Sequence, residues 1–169
     1  RKPNVNGLGL EAAGVKLAET GGIDVDAYSR TSTANIYAVG DVTNRINLTP
    51  VAIREGHAFA DSVYGGRPTP VDHSNVPTAV FSEPELGVIG LTEHQACERL
   101  AKVDIYKTSF RPTKATPSRR DTRVSMKLVV DGVTASLVGC HTAGPDAGEL
   151  IQVLGTAVKM GATKADFDA

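Results

Sequence analysis

The residues best placed to do chemistry in this chain stand around one turn. The apolar run Ile36-Tyr37-Ala38-Val39 ends in Gly40-Asp41, and Asn47-Leu48-Thr49-Pro50-Val51-Ala52 follows a short polar stretch. An aspartate held on a tight glycine turn offers a carboxylate acceptor to the hydroxyls of a sugar or polyol. Proline suits the first helical position, where its missing N–H costs nothing, so Thr49 is expected as the N-cap of a helix. Backbone N–H groups at Leu48 and Thr49 would then offer donors, and the positive end of a helix dipole, to an electron-rich ligand edge. An acceptor and donors beside one sheet edge suit a large cofactor that carries both hydroxyls and electron-rich atoms.

The elements that must position this turn divide the chain by pattern. Residues 1–36 read as loop, one or two turns near Leu8 and a short strand at Ile23-Asp24-Val25, with too few apolar positions to close a core. A strand over 36–39 leads to the Gly40-Asp41 turn. Val51, Ala52, Ala58, Phe59 and Val63 recur near helical spacing until Gly65-Gly66. Gly56 inside that helix costs about 1 kcal/mol against alanine, which predicts close packing there. Arg67-Pro68-Thr69-Pro70 is the linker candidate.

Beyond the linker the periodicity changes. Residues 78–81 and 86–89 read as strands, and Thr92-Glu93-His94-Gln95 is a capping box for a helix ending near Leu100. Strands are expected over 103–110, 124–130 and 137–141, with Asp131-Gly132 as a hairpin signal. Ala147, Leu150, Ile151, Leu154, Ala157 and Val158 make one apolar helical face ending at Gly161. Residues 74–169 therefore read as an antiparallel sheet with two helices, an α+β domain.

Composition excludes some functions. With 18 basic and 19 acidic residues and a net charge of −1, there is no electrostatic case for nucleic acid or an anionic membrane. No apolar run approaches the roughly 18 residues of a spanning helix, and Arg1-Lys2-Pro3-Asn4 does not open a signal peptide. Cys97 and Cys140 form no CxxC or CxxxxC pair and read as reduced, mostly buried thiols. A cytoplasmic protein is expected.

Gly40-Asp41 followed at this spacing by Leu48-Thr49-Pro50-Val51-Ala52, with Val42-Thr43-Asn44-Arg45 and Arg1-Lys2-Pro3-Asn4, resembles the flavin-dependent pyridine nucleotide-disulfide oxidoreductases, on their glutathione reductase side. The resemblance runs the whole chain but reaches only the C-terminal part of such enzymes. It implies an α+β interface (dimerisation) domain at 74–169, preceded by fragments of α/β dinucleotide-binding domains. Those fragments are the tail of an NADPH-binding domain at 1–36 and the second segment of an FAD-binding domain at 37–73.

By the same resemblance, Gly40, Asp41, Leu48, Thr49 and Ala52 belong to the FAD site, while Arg1, Asn47 and Ala79 lie along NADPH. His57 stands where several members carry an arginine that grips a substrate carboxylate; a histidine is a weaker, pH-dependent substitute. Arg111 and Thr113, in a basic stretch with Lys114 and Arg119-Arg120, are implied near glutathione disulfide on the partner subunit of a homodimer.

The family's glycine-rich dinucleotide loops, redox cysteine pair and catalytic His-Pro segment are not in these residues, and Asp166 and Asp168 read as surface or helix-end groups. The expectation is an NADPH-dependent glutathione-disulfide reductase as the parent enzyme, with these residues inactive alone. A trypanothione- or glutathione-derivative reductase is the alternative. A non-catalytic dimerisation module, with Ala147, Ile151, Leu154 and Val158 shared between core and interface, is the competing class. Phe81 and His141 are expected to pack, and His73 and His94 are given no role.

Overall fold

The computed structural model describes residues 2–169, so the reading of Arg1 as a nicotinamide contact lies outside the described residues. The chain forms two units, one ending at His73 and the other running over Ser74–Ala169.

The first unit is built largely from turns. Ala13 N–H donates to the Gly9 carbonyl at 3.0 Å and Val15 N–H to Leu10 at 2.9 Å, closing the turns expected near Leu8. The expected strands at 23–25 and 36–39 shrink to isolated bridges, Leu17 with Ile23 and Arg30 with Tyr37. A strand needs a ladder partner for each residue, and among the described residues these extended runs find only single ones. Val15, Ile23 and Ala38 form a small core, flanked by Val5, Leu10, Val25, Ile36 and Val42. The N-terminal segment thus closes its cluster only with Ala38 and Val42.

A 3-10 turn, Gly40–Thr43, leads to helix α1, Thr49–Val63. The cap differs from expectation. Leu48 is the N-cap, with extended backbone, because its carbonyl accepts the first intrahelical bond from Ala52 N–H at 3.0 Å. Thr49 is already helical, and no side chain caps the helix. Gly65 N–H returns to the Ala60 carbonyl and Gly66 takes a φ of +64°, which ends the helix as expected. Gly56 departs from expectation too: a Cβ there would meet no atom within 4 Å, so no described residue packs on it.

The second unit is regular. Its elements are β1 (Thr78–Val80), β2 (Leu86–Gly90), α2 (Glu93–Arg99), β3 (Val103–Phe110), β4 (Val124–Asp131), β5 (Leu137–Ala143), α3 (Ala147–Lys159) and α4 (Lys164–Asp168). The strands form one antiparallel sheet in the order β1-β2-β5-β4-β3. Register places Ile89, Cys140 and Leu128 side by side on one face, where they join Val130, Leu137, Ile151 and Val158 of the core. Helix α3 lies so close to β2 that a Cβ on Gly87 would stand 2.6 Å from the Ala147 carbonyl oxygen and 2.9 Å from Ile151 Cβ. The capping box of α2 is present: Thr92 Oγ1 accepts Gln95 N–H at 3.2 Å and Gln95 Oε1 accepts Thr92 N–H at 3.0 Å.

Three expectations are corrected here. Helix α4 was not anticipated; Thr163 and Asp166 cap it reciprocally, with aspartate in the place usually held by Glu or Gln. Cys97 is exposed while Cys140 is buried, because Ala96 occupies the inward position of α2. Ala147 and Ile151 are 0% exposed within the unit itself, so they have no surface to share with an interface; Val153, at 73%, faces outward.

Candidate functional site

Gly40 is buried with a φ of +72°, a conformation glycine adopts without strain. A Cβ on Gly40 would come within 3.0 Å of Ala52 Cβ, so the turn rests directly on the first turns of α1. Two small residues allow this approach. The turn is tied internally: Thr43 Oγ1 donates to the Gly40 carbonyl at 2.8 Å, and Asn44 N–H donates to the Asp41 carbonyl at 3.1 Å. Neither bond uses the Asp41 carboxylate, which is exposed beside the helix start.

The donors at that start are fewer than expected. Leu48 N–H is already committed to the Ile46 carbonyl at 3.0 Å, and Pro50 has no N–H. The N–H groups of Thr49 and Val51 precede the first residue that can find an intrahelical acceptor, and no side chain caps them. Asn47 spends its amide within the loop, donating Nδ2–H to Asn44 Oδ1 at 3.0 Å. The structure therefore gathers Gly40, Asp41, Thr49 and Ala52. Among the described residues this arrangement presents a carboxylate outside those bonds, uncapped N–H groups and a small-residue cradle, which suits a hydroxylated group with an electron-rich edge.

Behind the turn lies a group that the sequence reading passed over. Glu55 is 1% exposed, accepting the Gly40 N–H on Oε2 at 2.6 Å. Its Oε1 meets the Arg45 guanidinium at 2.9 Å and the His73 ring Nε2 at 2.6 Å. His73, given no role from sequence, thus joins Arg45 on the buried Glu55 carboxylate. The missed signal was positional: Val51, Glu55 and Ala58 share the buried stripe of α1, so a carboxylate stands where an apolar residue was due. His57, by contrast, is exposed.

In the second unit, Ala79 is half-buried in β1 and pairs with Gly87. Phe81 is 79% exposed, contrary to the expected core packing, although its ring edge lies over Gly148 of α3. Arg111 is exposed and pairs with Asp121 at 3.5 Å; Thr113 begins a 3-10 turn and is exposed. Beside them a cleft of about 430 Å³ is lined by Glu83, Pro112, Lys114, Ser118 and Arg120 among others. Lys114 also reaches Asp146 at 2.5 Å.

His141 is half-buried on the open face of the sheet with Leu86, Val88 and Lys127, and its Nδ1 has no hydrogen-bond partner among the described residues. Burial and then the Lys127 ammonium push its pKa down, against a backbone bond to Leu91. The buried Cys140 thiol is pushed up to about 11 by desolvation, which suits packing rather than nucleophilic work. Among the described residues there is no group of metal-ligating side chains, and no helix is long and apolar enough to cross a membrane.

The chain resembles proteins of known type. Residues 76–169 match the pyridine nucleotide-disulphide oxidoreductase dimerisation domain, and residues 1–56 match the pyridine nucleotide-disulphide oxidoreductase model. All of the chain is 57% identical to 38% of a glutathione reductase from Burkholderia cepacia. It is also 50% identical to 31% of a chloroplastic/mitochondrial glutathione reductase from Pisum sativum. The chain thus spans well under half the length of these relatives. The HOCl-induced flavoprotein disulfide reductase of Escherichia coli superposes with a TM-score of 0.87 at 30% identity, covering 98% of this chain and 38% of that one. The chain belongs to the pyridine nucleotide-disulphide oxidoreductase family, with a dimerisation domain of mixed helices and antiparallel sheet over most of its second unit.

Proposed function

We propose that this chain supplies one edge of an FAD site and the dimer interface of an NADPH-dependent glutathione-disulfide reductase. The observation that carries this reading is the Gly40–Asp41 turn seated on the uncapped start of α1, with the Asp41 carboxylate free. The residues fit the group: Asp41 would accept from its polyol hydroxyls, and the uncapped N–H groups at the Thr49 end of α1 would offer donors to an electron-rich edge. When bound, the flavin relays the electrons of NADPH to a disulfide. Gly40 and Ala52 keep the approach narrow, and Leu48 serves through its place in the chain rather than as a donor.

In this proposal residues 1–36 end an NADPH domain, 37–73 close the FAD domain and 74–169 dimerise. The first division is one of role, since Ala38 N–H bonds the Ser29 carbonyl at 3.0 Å and Ile23 N–H bonds Val42 at 2.8 Å across it. Asn47 and Ala79 meet the nicotinamide through backbone atoms. His57, Arg111 and Thr113 serve the substrate, and Arg120 in the nearby cleft, which Glu83 and the Asp146-paired Lys114 also line, offers a carboxylate a cationic partner. The dimer would use outward residues of the second unit such as Val153.

The test is FAD content and NADPH-dependent glutathione disulfide turnover of the full-length protein, with Asp41→Ala beside it. Yellow, active protein that loses flavin on substitution is expected. Protein that holds no flavin in either form would leave a dimerisation module without this chemistry.

A further inference from the structure

The Gly40–Asp41 turn is held from behind by a carboxylate that never faces a ligand. Glu55 is 1% exposed, and its two oxygens join three separate parts of the first unit: Gly40 N–H at 2.6 Å, the Arg45 guanidinium at 2.9 Å and His73 Nε2 at 2.6 Å. We propose that Glu55 is a positioning residue for the flavin edge, fixing where Asp41 points by gripping the peptide before it, with Arg45 and His73 holding the carboxylate in place. This rests on the flavin reading above.

The physical case has three steps. Burying a carboxylate is costly unless it is paired and hydrogen-bonded, so a fully buried one on the inner stripe of α1 needs a purpose beyond packing. Its partners satisfy it: one oxygen takes the backbone donor while the other takes the Arg45 guanidinium and the His73 ring. Finally, the bonded N–H belongs to the residue directly before Asp41. Gly40 sits at a φ of +72°, a region open to many small adjustments for glycine, and the bond selects one of them. Loss of the grip leaves the Asp41 carboxylate present but misdirected, which is how a support one layer behind a ligand acts.

The test is a double-mutant cycle on FAD affinity in the full-length apoprotein, read by quenching of flavin fluorescence, with unfolding followed in parallel. Glu55→Ala is expected to weaken FAD binding about tenfold to a hundredfold, the loss of a hydrogen bond to a charged group. Glu55→Gln, which keeps a carbonyl for the Gly40 N–H, is expected to recover part of that loss. In an Asp41→Ala background either Glu55 change should cost less than about threefold more, because the two residues act as one unit.

If Glu55→Ala does not fold, the Gln variant carries the cycle. Full, additive losses in both backgrounds would overturn the proposal, as would unchanged affinity in a folded Glu55 variant. A wild-type protein without FAD affinity, or an Asp41→Ala protein that binds as well as wild type, overturns the flavin reading first and this proposal with it.

Discussion

Ile89 in the second unit and Glu55 in the first are both 1% exposed, yet one is held by neighbouring methyl groups and the other by three polar partners. In the sheet unit, ladders pair the backbone from strand to strand, so side chains between β2, β5 and α3 are free to be apolar. In the turn unit, extended runs meet only at isolated bridges, and a peptide N–H at a critical bend needs a side chain to accept it. The difference teaches where each unit puts its specificity: the sheet in its register, the turn region in a charged knot.

Ile151→Ala should have the largest effect. Ile151 is 0% exposed at the centre of the sheet–helix core, and its truncation should cost about 4 kcal/mol, read by denaturant unfolding with hydrogen exchange of the strands. A cost under about 1 kcal/mol would mean the core lies elsewhere. Glu55→Ala should cost about 3 kcal/mol, confined to amides of the first unit, because it removes the shared acceptor of the Gly40 N–H, the Arg45 guanidinium and the His73 ring. An equal loss in the strands of the second unit would break the comparison.

A smaller change is expected from Thr92→Ala. It removes one arm of the α2 capping box and should cost about 1 kcal/mol, visible in thermal unfolding.

The smallest effect should come from pH. The folded pKa of His141 is pushed below its usual 6.5, so the unfolded chain binds more protons between the two values. Stability should be fully present above about pH 6.5 and decline as pH falls through that window. Replacing His141 with Asn should flatten this slope, and a slope of opposite sign would show that the folded protein welcomes the charge.

These contrasts also explain what the sequence revealed. Strand β3 falls on the expected residues 103–110 because the turn signal at Arg111-Pro112 that ends it acts locally, and the Asp131-Gly132 hairpin pins its neighbour's end. The strand expected at 36–39 reads identically in sequence but pairs at only one residue, since pairing is a property of the fold and not of the run. Thr49 looked like a cap because Pro50 follows it, but the cap is set by which carbonyl accepts the first helical bond, and that is Leu48. One helical step, about 100° of rotation, separates buried Ala96 from exposed Cys97. At the site, the acceptor and small residues were legible as a motif. The carboxylate behind them was legible only as a charge on an apolar stripe, and its partners His73 and Arg45 come from outside α1.

The most direct measurement is amide hydrogen exchange of the full-length protein with and without FAD. The account predicts that added FAD slows exchange at Gly40, Asp41, Thr49 and Val51 by at least about tenfold while Ile89, Val129 and Cys140 stay unchanged. Slowing spread evenly over both units, or absent from the turn and the start of α1, would contradict it.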